Sequence, residues 1–331
     1  MLLADCIYCY MIIDNNMANN TKILICGGAG YIGGYLTDLL IEKGYNITVY
    51  DNLTYEDHFL KNVPFIFGDI RDYKKLGKII NDFDIVIWLA AVVGDSACAI
   101  NEAFTKEVNV QSVKWLVNNY KGKIIYTSTC SVYGMNNNLL DESSEVNPLS
   151  HYALTKLEAE QEIVKHSPKH LIFRLGTLFG VGDKYSRLRF DLAANALTKR
   201  AALNELMLVF GGGQWRPLLH VKDVAEAIAF GIENNINGLY NLSHKNYKIC
   251  DIAEVIKNIV PHSKLEYGNV KFEDLRDYKV VSDKFKAHGW QPKYSLEDGI
   301  KEIYQVIIDG RIKEPNNIIY SNVDYLKNKV L

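Results

Sequence analysis

Tyr152 and Lys156 occupy positions i and i+4, downstream of a glycine-rich turn and of the run Thr127-Ser128-Thr129. On a helix that spacing puts both side chains on one face. The lysine charge would then lower the phenol pKa and make the tyrosine a usable general base near neutral pH. Tyr-x-x-x-Lys is common on amphipathic surface helices, so the pair gains its weight from what precedes it.

What precedes it is a candidate dinucleotide site. Gly27, Gly30 and Gly33 follow a short apolar strand at 22–26 and open a helix at 35–43, whose Leu36, Leu39 and Leu40 share one side. A tight turn there needs space and backbone angles that glycine provides at least cost. Free N–H groups at the start of a helix favour a pyrophosphate. A second strand, 47–50, ends at Asp51, 18 residues after Gly33. A carboxylate at that place can accept hydrogen bonds from ribose hydroxyls and would repel a 2′-phosphate, which favours NAD over NADP. The plainer role for Asp51 is a turn with Asn52.

The elements that must position these residues alternate along the chain. Further strands are expected at 64–67, 84–89, 123–128 and 171–175, and helices at 103–120 and 152–165. Such alternation predicts an α/β fold, a Rossmann-type doubly wound parallel sheet. Beyond 176 the pattern is less regular, with helices expected at 187–200, 221–233, 249–259 and 296–308 and a strand at 239–242. The expected division is an N-terminal extension without catalytic function at 1–20, a dinucleotide-binding domain at 21–175, and a smaller substrate-binding lobe at 176–331 interleaved with the sheet.

Composition narrows the classes. The 331 residues, 48% of them hydrophobic, suffice for one large domain or two closely joined ones. A formal net charge of −2 leaves no basic excess for nucleic acid and no charge block for a membrane surface. Residues 1–13 are fairly apolar but carry Asp5, without a basic leader or a small-residue cleavage site, and are too short to span a bilayer. Met17 is a possible true start. The 6 cysteines make neither a disulfide scaffold nor a metal framework, and the single C-x-x-C of Cys6 and Cys9 reads as incidental. A cytoplasmic chain without a metal is expected.

The run from Cys26 to Gly34, with Tyr31 and Ile32 ahead of its last two glycines, resembles the extended short-chain dehydrogenase/reductases, specifically the NAD-dependent nucleotide-sugar epimerases and dehydratases. The resemblance extends from residue 22 to about residue 308. It implies that Gly27, Gly30, Tyr31, Ile32, Gly33, Asp51 and Asn52 serve the cofactor. It places Asp69 and Ile70 of the run 68–72 beside the adenine. Leu89, Ala90 and Ala91 would pass the cofactor diphosphate and ribose, and Asn109 would support the active-site backbone. A homodimer through the helices near 103–120 and 152–165 is implied as well.

By register on Val132-Tyr133-Gly134, Thr129 falls on the family's catalytic Ser/Thr, which hydrogen-bonds the sugar oxygen at C4. The resemblance makes Tyr152 the base that takes the proton as hydride leaves C4, and Lys156 the group that holds the nicotinamide ribose. Related 4,6-dehydratases carry Asp-Glu directly after the threonine, where this chain has Cys130-Ser131, so dehydration is not expected. Related 3,5-epimerase/reductases use a cysteine where this chain has Ser131 and a histidine corresponding roughly to Gly182, so epimerisation at C3 or C5 is not expected either.

The loop 211–224 resembles the family's substrate-diphosphate loop, with Arg216 as the leading phosphate ligand because a guanidinium fork binds two oxygens at once. Arg276 is the second candidate, and Arg187, Arg189 and Asn195 join the substrate-binding set. In the segment after Arg174, Gly176-Thr177 replaces the usual Asn region. The partner so implied is a nucleotide-diphosphate sugar, with neither nucleic acid nor membrane. The reading is an NAD-dependent enzyme oxidising C4 of that sugar, a 4-epimerase or a 4-dehydrogenase, similar to enzymes of surface-polysaccharide pathways of which some act on GDP-linked heptoses. A catalytically silent NAD-binding regulator on the same fold is the alternative, against which the intact Thr129/Tyr152/Lys156 set speaks.

Overall fold

The computed structural model describes residues 20–56, 58–185, 187–268 and 277–329. Strand β1 (Lys22–Cys26) is apolar after its first residue because both its faces are covered. Ile23 and Ile25 enter one apolar cluster, Leu24 and Cys26 the other. β2 (Asn46–Asp51), β3 (Phe65–Phe67), β4 (Ile85–Trp88) and β5 (Lys123–Thr129) follow, then β6 (Met135–Leu140), β7 (His170–Leu175) and β8 (Thr177–Phe179). The later strands are β9 (Leu206–Phe210), β10 (Trp215–His220), β11 (Gly238–Leu242), β12 (Lys245–Lys248), β13 (Lys264–Gly268) and β14 (Asp277–Val280).

Seven strands form a parallel sheet in the order β11-β7-β5-β4-β1-β2-β3. The chain leaves β1 toward β2 and β3 on one side, then crosses back to β4 and runs outward through β5 and β7. The loops after β1 and β4 therefore diverge, and the crevice between them is where ligands bind in such sheets. The helix Gly33–Glu42 buries Leu36, Leu39 and Leu40 against one face. The helix His151–His166 buries Ala159 and Ile163 against the other.

Residues beyond 176 return to this sheet through β11. They also build two small sheets, β12-β10-β8 and β13-β9, around an apolar cluster holding Leu197, Ile252, Ile256 and Ile300. The pair β14-β6 lies beside β10, where Trp215 N donates to Asp277 Oδ1 at 2.9 Å, and carries Tyr278 and Leu140.

Two expected helices differ. The helix placed at 187–200 spans Ala193–Ala202. Arg187-Leu188-Arg189-Phe190 has an alternating, not a helical, period. Leu188 and Phe190 are buried with Ile303 and Ile307, as an extended segment requires. The helix expected at 103–120 is one path with a wide turn in it: α-helical over Glu102–Lys106, π-helical over Glu107–Gln111 and α-helical again over Ser112–Asn119. The readings of Cys6, Cys9, Met17 and Arg276 fall outside the described residues.

Candidate active site

A cleft of about 300 Å³ opens at the carboxyl ends of β1, β2, β4 and β5. Gly27, with φ +84°, turns the chain out of β1, and a Cβ there would sit 2.5 Å from the Ala90 nitrogen. The glycine turn and the loop after β4 are thus in backbone contact, leaving a cradle that a side chain would fill. At Gly33, in the first turn of its helix, a Cβ would come 2.5 Å from the Gly28 Cα. Gly27, Gly30, Tyr31, Ile32 and Gly33 line this end of the cleft together with Leu89, Ala90 and Ala91.

Asp51, Asn52, Asp69 and Ile70 line the next stretch. The Asp51 carboxylate accepts from Leu53 N at 2.8 Å and from Ala29 N at 3.0 Å, so it pins the glycine turn to the end of β2. Burial pushes its pKa up, against those two N–H donors. Asn52 Nδ2 donates to Asp69 Oδ2 at 3.2 Å, and Arg71 holds the Asp69 carboxylate through Nε and Nη2. A tight glycine cradle beside a carboxylate at a strand end fits the pyrophosphate and adenosine ribose of NAD.

Asn195, expected among the substrate contacts, and Asn109, expected to support backbone, both lie behind the cleft wall. Asn109, in the π-helical turn, receives Val92 N at 2.8 Å, donates to Val92 O at 2.9 Å and reaches Thr155 Oγ1 at 3.2 Å. It is 2% exposed and fixes the loop after β4 to the helix that carries Tyr152. Asn195, fully buried, accepts from Gly180 N at 3.0 Å and donates to Tyr31 Oη at 3.2 Å and to Arg189 O at 2.9 Å. Both asparagines position backbone and line no part of the cleft.

Thr129, Tyr152 and Lys156 meet on one wall. Thr129 ends β5. Tyr152 and Lys156 rise from the first turns of His151–His166, whose N-cap Ser150 accepts from Ala153 N. Burial pushes the Tyr152 phenol up, and a hydrogen bond to Thr129 and the Arg189 charge pull it down more weakly. Burial pushes Lys156 down to about 7. The same enclosure thus disfavours the ionised phenol and the charged amine alike.

Two neighbours, Ser131 and Tyr278, complete this wall. Ser131 N donates to Thr129 Oγ1 at 3.1 Å, Thr129 Oγ1 donates to Ser131 Oγ at 3.2 Å, and Ser131 Oγ meets Tyr278 Oη at 3.2 Å. Ser131 and Tyr278 both line the cleft. Tyr278 arrives from 126 residues beyond Tyr152, on a strand too short to recognise by pattern. Cys130 faces away. It is fully buried, its thiol donates to Arg174 O at 3.2 Å, and burial raises its pKa.

Arg187 and Arg189 also line the cleft. Arg189 grips Asp191 through Nε and Nη2, each at 3.0 Å. Arg187 lies 4.3 Å from the centre of the Tyr55 ring, and burial lowers its pKa to about 10. Arg216 is elsewhere: it is 4% exposed on β10, donates to Trp215 O at 2.8 Å and is not a cleft residue.

A parallel sheet with its glycine turn at the β1/β4 switch point, joined to a Thr, Tyr and Lys on one wall, defines a Rossmann-fold protein of the dinucleotide-dependent class. The model of the NAD dependent epimerase/dehydratase family matches residues 23–243, and the chain belongs to that family. It is 29% identical over 302 residues to a putative UDP-glucose 4-epimerase of Methanocaldococcus jannaschii, covering 85% of this chain and 96% of that one. It is 27% identical over 313 residues to a UDP-N-acetyl-alpha-D-glucosaminuronate decarboxylase of Bacillus cytotoxicus, covering 86% and 97%. Among solved structures, the UDP-glucose 4-epimerase of Thermotoga maritima with UDP-glucose superposes with a TM-score of 0.78 at 25% identity, covering 88% of this chain and 100% of that one.

Proposed function

We propose that this protein oxidises C4 of a nucleotide-diphosphate sugar with NAD, as a 4-epimerase or a 4-dehydrogenase. The observation that carries the reading is the convergence of Thr129, Tyr152 and Lys156 on one wall of the glycine-turn cleft. NAD, when bound, supplies the hydride acceptor. Thr129 orients the sugar oxygen, Tyr152 takes its proton, and Lys156 holds the nicotinamide ribose and favours the ionised phenol when charged. Ser131, which stands where a dehydratase carries a carboxylate, has no acid strong enough to expel water. That supports chemistry confined to C4.

Residues 21–175 hold the dinucleotide in this reading and 176–331 the sugar nucleotide. Arg189 is the sugar-nucleotide diphosphate candidate that the cleft geometry supports. A homodimer across the helices near 103–120 and 152–165 is supported by the exposed Leu154 and Val164 of His151–His166. Among the described residues the four cysteines, Cys26, Cys98, Cys130 and Cys250, are free thiols, which supports a reducing, cytoplasmic setting. Among the described residues no helix is long and apolar enough to cross a membrane. The relatives' names support a role in nucleotide-sugar metabolism, with surface polysaccharide as the proposed context. The test is incubation with UDP-, GDP-, CDP- and dTDP-linked hexoses and heptoses, with products followed by mass spectrometry. Formation of a 4-keto-6-deoxy sugar would overturn the assignment of Cys130 and Ser131.

A further inference from the structure

The last described helix, Asn322–Lys329, and the turn Ile318–Tyr320 before it lie beyond the span that the family model matches. They nevertheless reach the cleft, which Asn322 and Leu326 help to line. Leu326 is 4% exposed and packs in one apolar cluster with Tyr50, Ile70 and Val108. The Tyr325 ring lies 5.2 Å from the Tyr55 ring. The end of the chain thus closes over the stretch where Asp51, Asp69 and Ile70 stand.

The segment is fastened on both sides of the cleft. Arg187 Nε donates to Ile319 O, Phe190 N donates to Tyr320 O at 2.8 Å, and Asn322 N donates to Asp191 Oδ2 at 3.0 Å. Across the opening, Asn322 Nδ2 donates to Val93 O at 3.1 Å. The segment therefore ties the arginine loop to the loop after β4.

Two polar atoms, one on the arginine loop and one on the segment, are left over. Arg187 Nη2 and Asn322 Oδ1 are buried without a hydrogen-bond partner, on side chains 7% and 1% exposed. A buried donor and a buried acceptor left unmade cost free energy that a matching ligand returns. The match for this pair is an anionic oxygen next to a hydroxyl or amine donor. A phosphate adjoining a ribose has that chemistry, and it occurs in both NAD and a nucleotide sugar. The neighbouring Tyr50, Ile70 and Asp51 favour the dinucleotide.

We propose that residues 318–329 are a strap over the adenosine half of the bound dinucleotide, with Arg187 and Asn322 as direct contacts, so that the cofactor is retained between turnovers. This rests on the reading of the cleft as the NAD site. A retained dinucleotide has to be reoxidised in place, and the 4-keto sugar can do so by taking back the hydride while Tyr152 returns the proton. The strap thus favours the 4-epimerase branch of the proposed function.

The test is the release rate of NAD from the holoprotein, chased with excess etheno-NAD in the absence of sugar. Asn322→Leu and Tyr325→Ala are expected to speed release about tenfold each, the equivalent of about 1.4 kcal/mol. Tyr325 is half-buried at the rim, so its variant tests the strap even if the Asn322 variant does not fold. Release at the wild-type rate from the folded variants overturns the proposal. So does an unchanged NAD release with a raised KM for the sugar nucleotide, which would assign the pair to the substrate diphosphate. Faster NAD release in variants of a protein that turns over no nucleotide sugar would leave the strap standing and remove the proposed reaction.

Discussion

Lys156 Nζ lies 4.1 Å from the centre of the Tyr126 ring. The ring face offsets part of the cost of enclosing an ammonium, yet burial still lowers the lysine to about 7. In the folded chain the amine holds its proton only below that value, whereas in the unfolded chain it holds it up to about 10.4. Between the two, the unfolded chain binds more protons, so stability rises with pH. At and below pH 7 the enclosed charge destabilises the fold fully.

Lys156→Met should therefore stabilise the dinucleotide-free protein at pH 6.5, by about 2 kcal/mol or more. The gain should shrink toward pH 10. Thermal melts at both ends of that range check the sign, and a gain that grows with pH would refute it.

Tyr152→Phe keeps the ring and removes the hydroxyl that Thr129 engages. Turnover is expected to fall by about 10²–10⁴, the usual contribution of a general base, with NAD affinity little changed. Activity at the wild-type level would leave the silent-regulator reading in place.

Asp51 already binds two backbone N–H groups and faces the cleft. A 2′-phosphate would bring a second anion against it. NAD is expected to bind at least about a hundredfold tighter than NADP, about 2.8 kcal/mol. Titration calorimetry with both dinucleotides decides it, and comparable affinities would remove Asp51 from the ribose.

Arg174 is structural. Its guanidinium bonds Glu160 at 2.5 and 3.1 Å and Tyr133 Oη at 2.9 Å, with both charged side chains buried. Arg174→Met leaves the Glu160 charge enclosed and should cost about 3–5 kcal/mol. Denaturant unfolding measures this, and a change under 1 kcal/mol would mean that the pair is solvated.

The glycine turn, the strand ends and the Tyr152/Lys156 helix were legible because their chemistry is local. Gly27 needs a positive φ, β1 needs two apolar faces, and the i, i+4 pair needs one helix. Asn109 was expected to support backbone and Asn195 to contact substrate; the second expectation fails because a motif records proximity and not the direction of an amide. Their bonds to Val92 and Gly180 depend on loops distant in sequence. Arg187-Leu188-Arg189-Phe190 was read as helix although its period of two was visible; the apolar partners at Ile303 and Ile307 decide it. Tyr278 and Asn322 carry no local signature, since each matters only through what the fold brings beside it.

The most direct test follows absorbance of the reduced nicotinamide and product mass together, with wild type and Tyr152→Phe side by side on the nucleotide-sugar panel. With at least one sugar, wild type is expected to give either net reduced nicotinamide with a product lighter by two hydrogens, or a product of unchanged mass inverted at C4 without net reduction, while the variant gives neither. No nicotinamide reduction and no altered sugar across the panel, or equal conversion by both proteins, would contradict hydride chemistry at C4 with Tyr152 as its base.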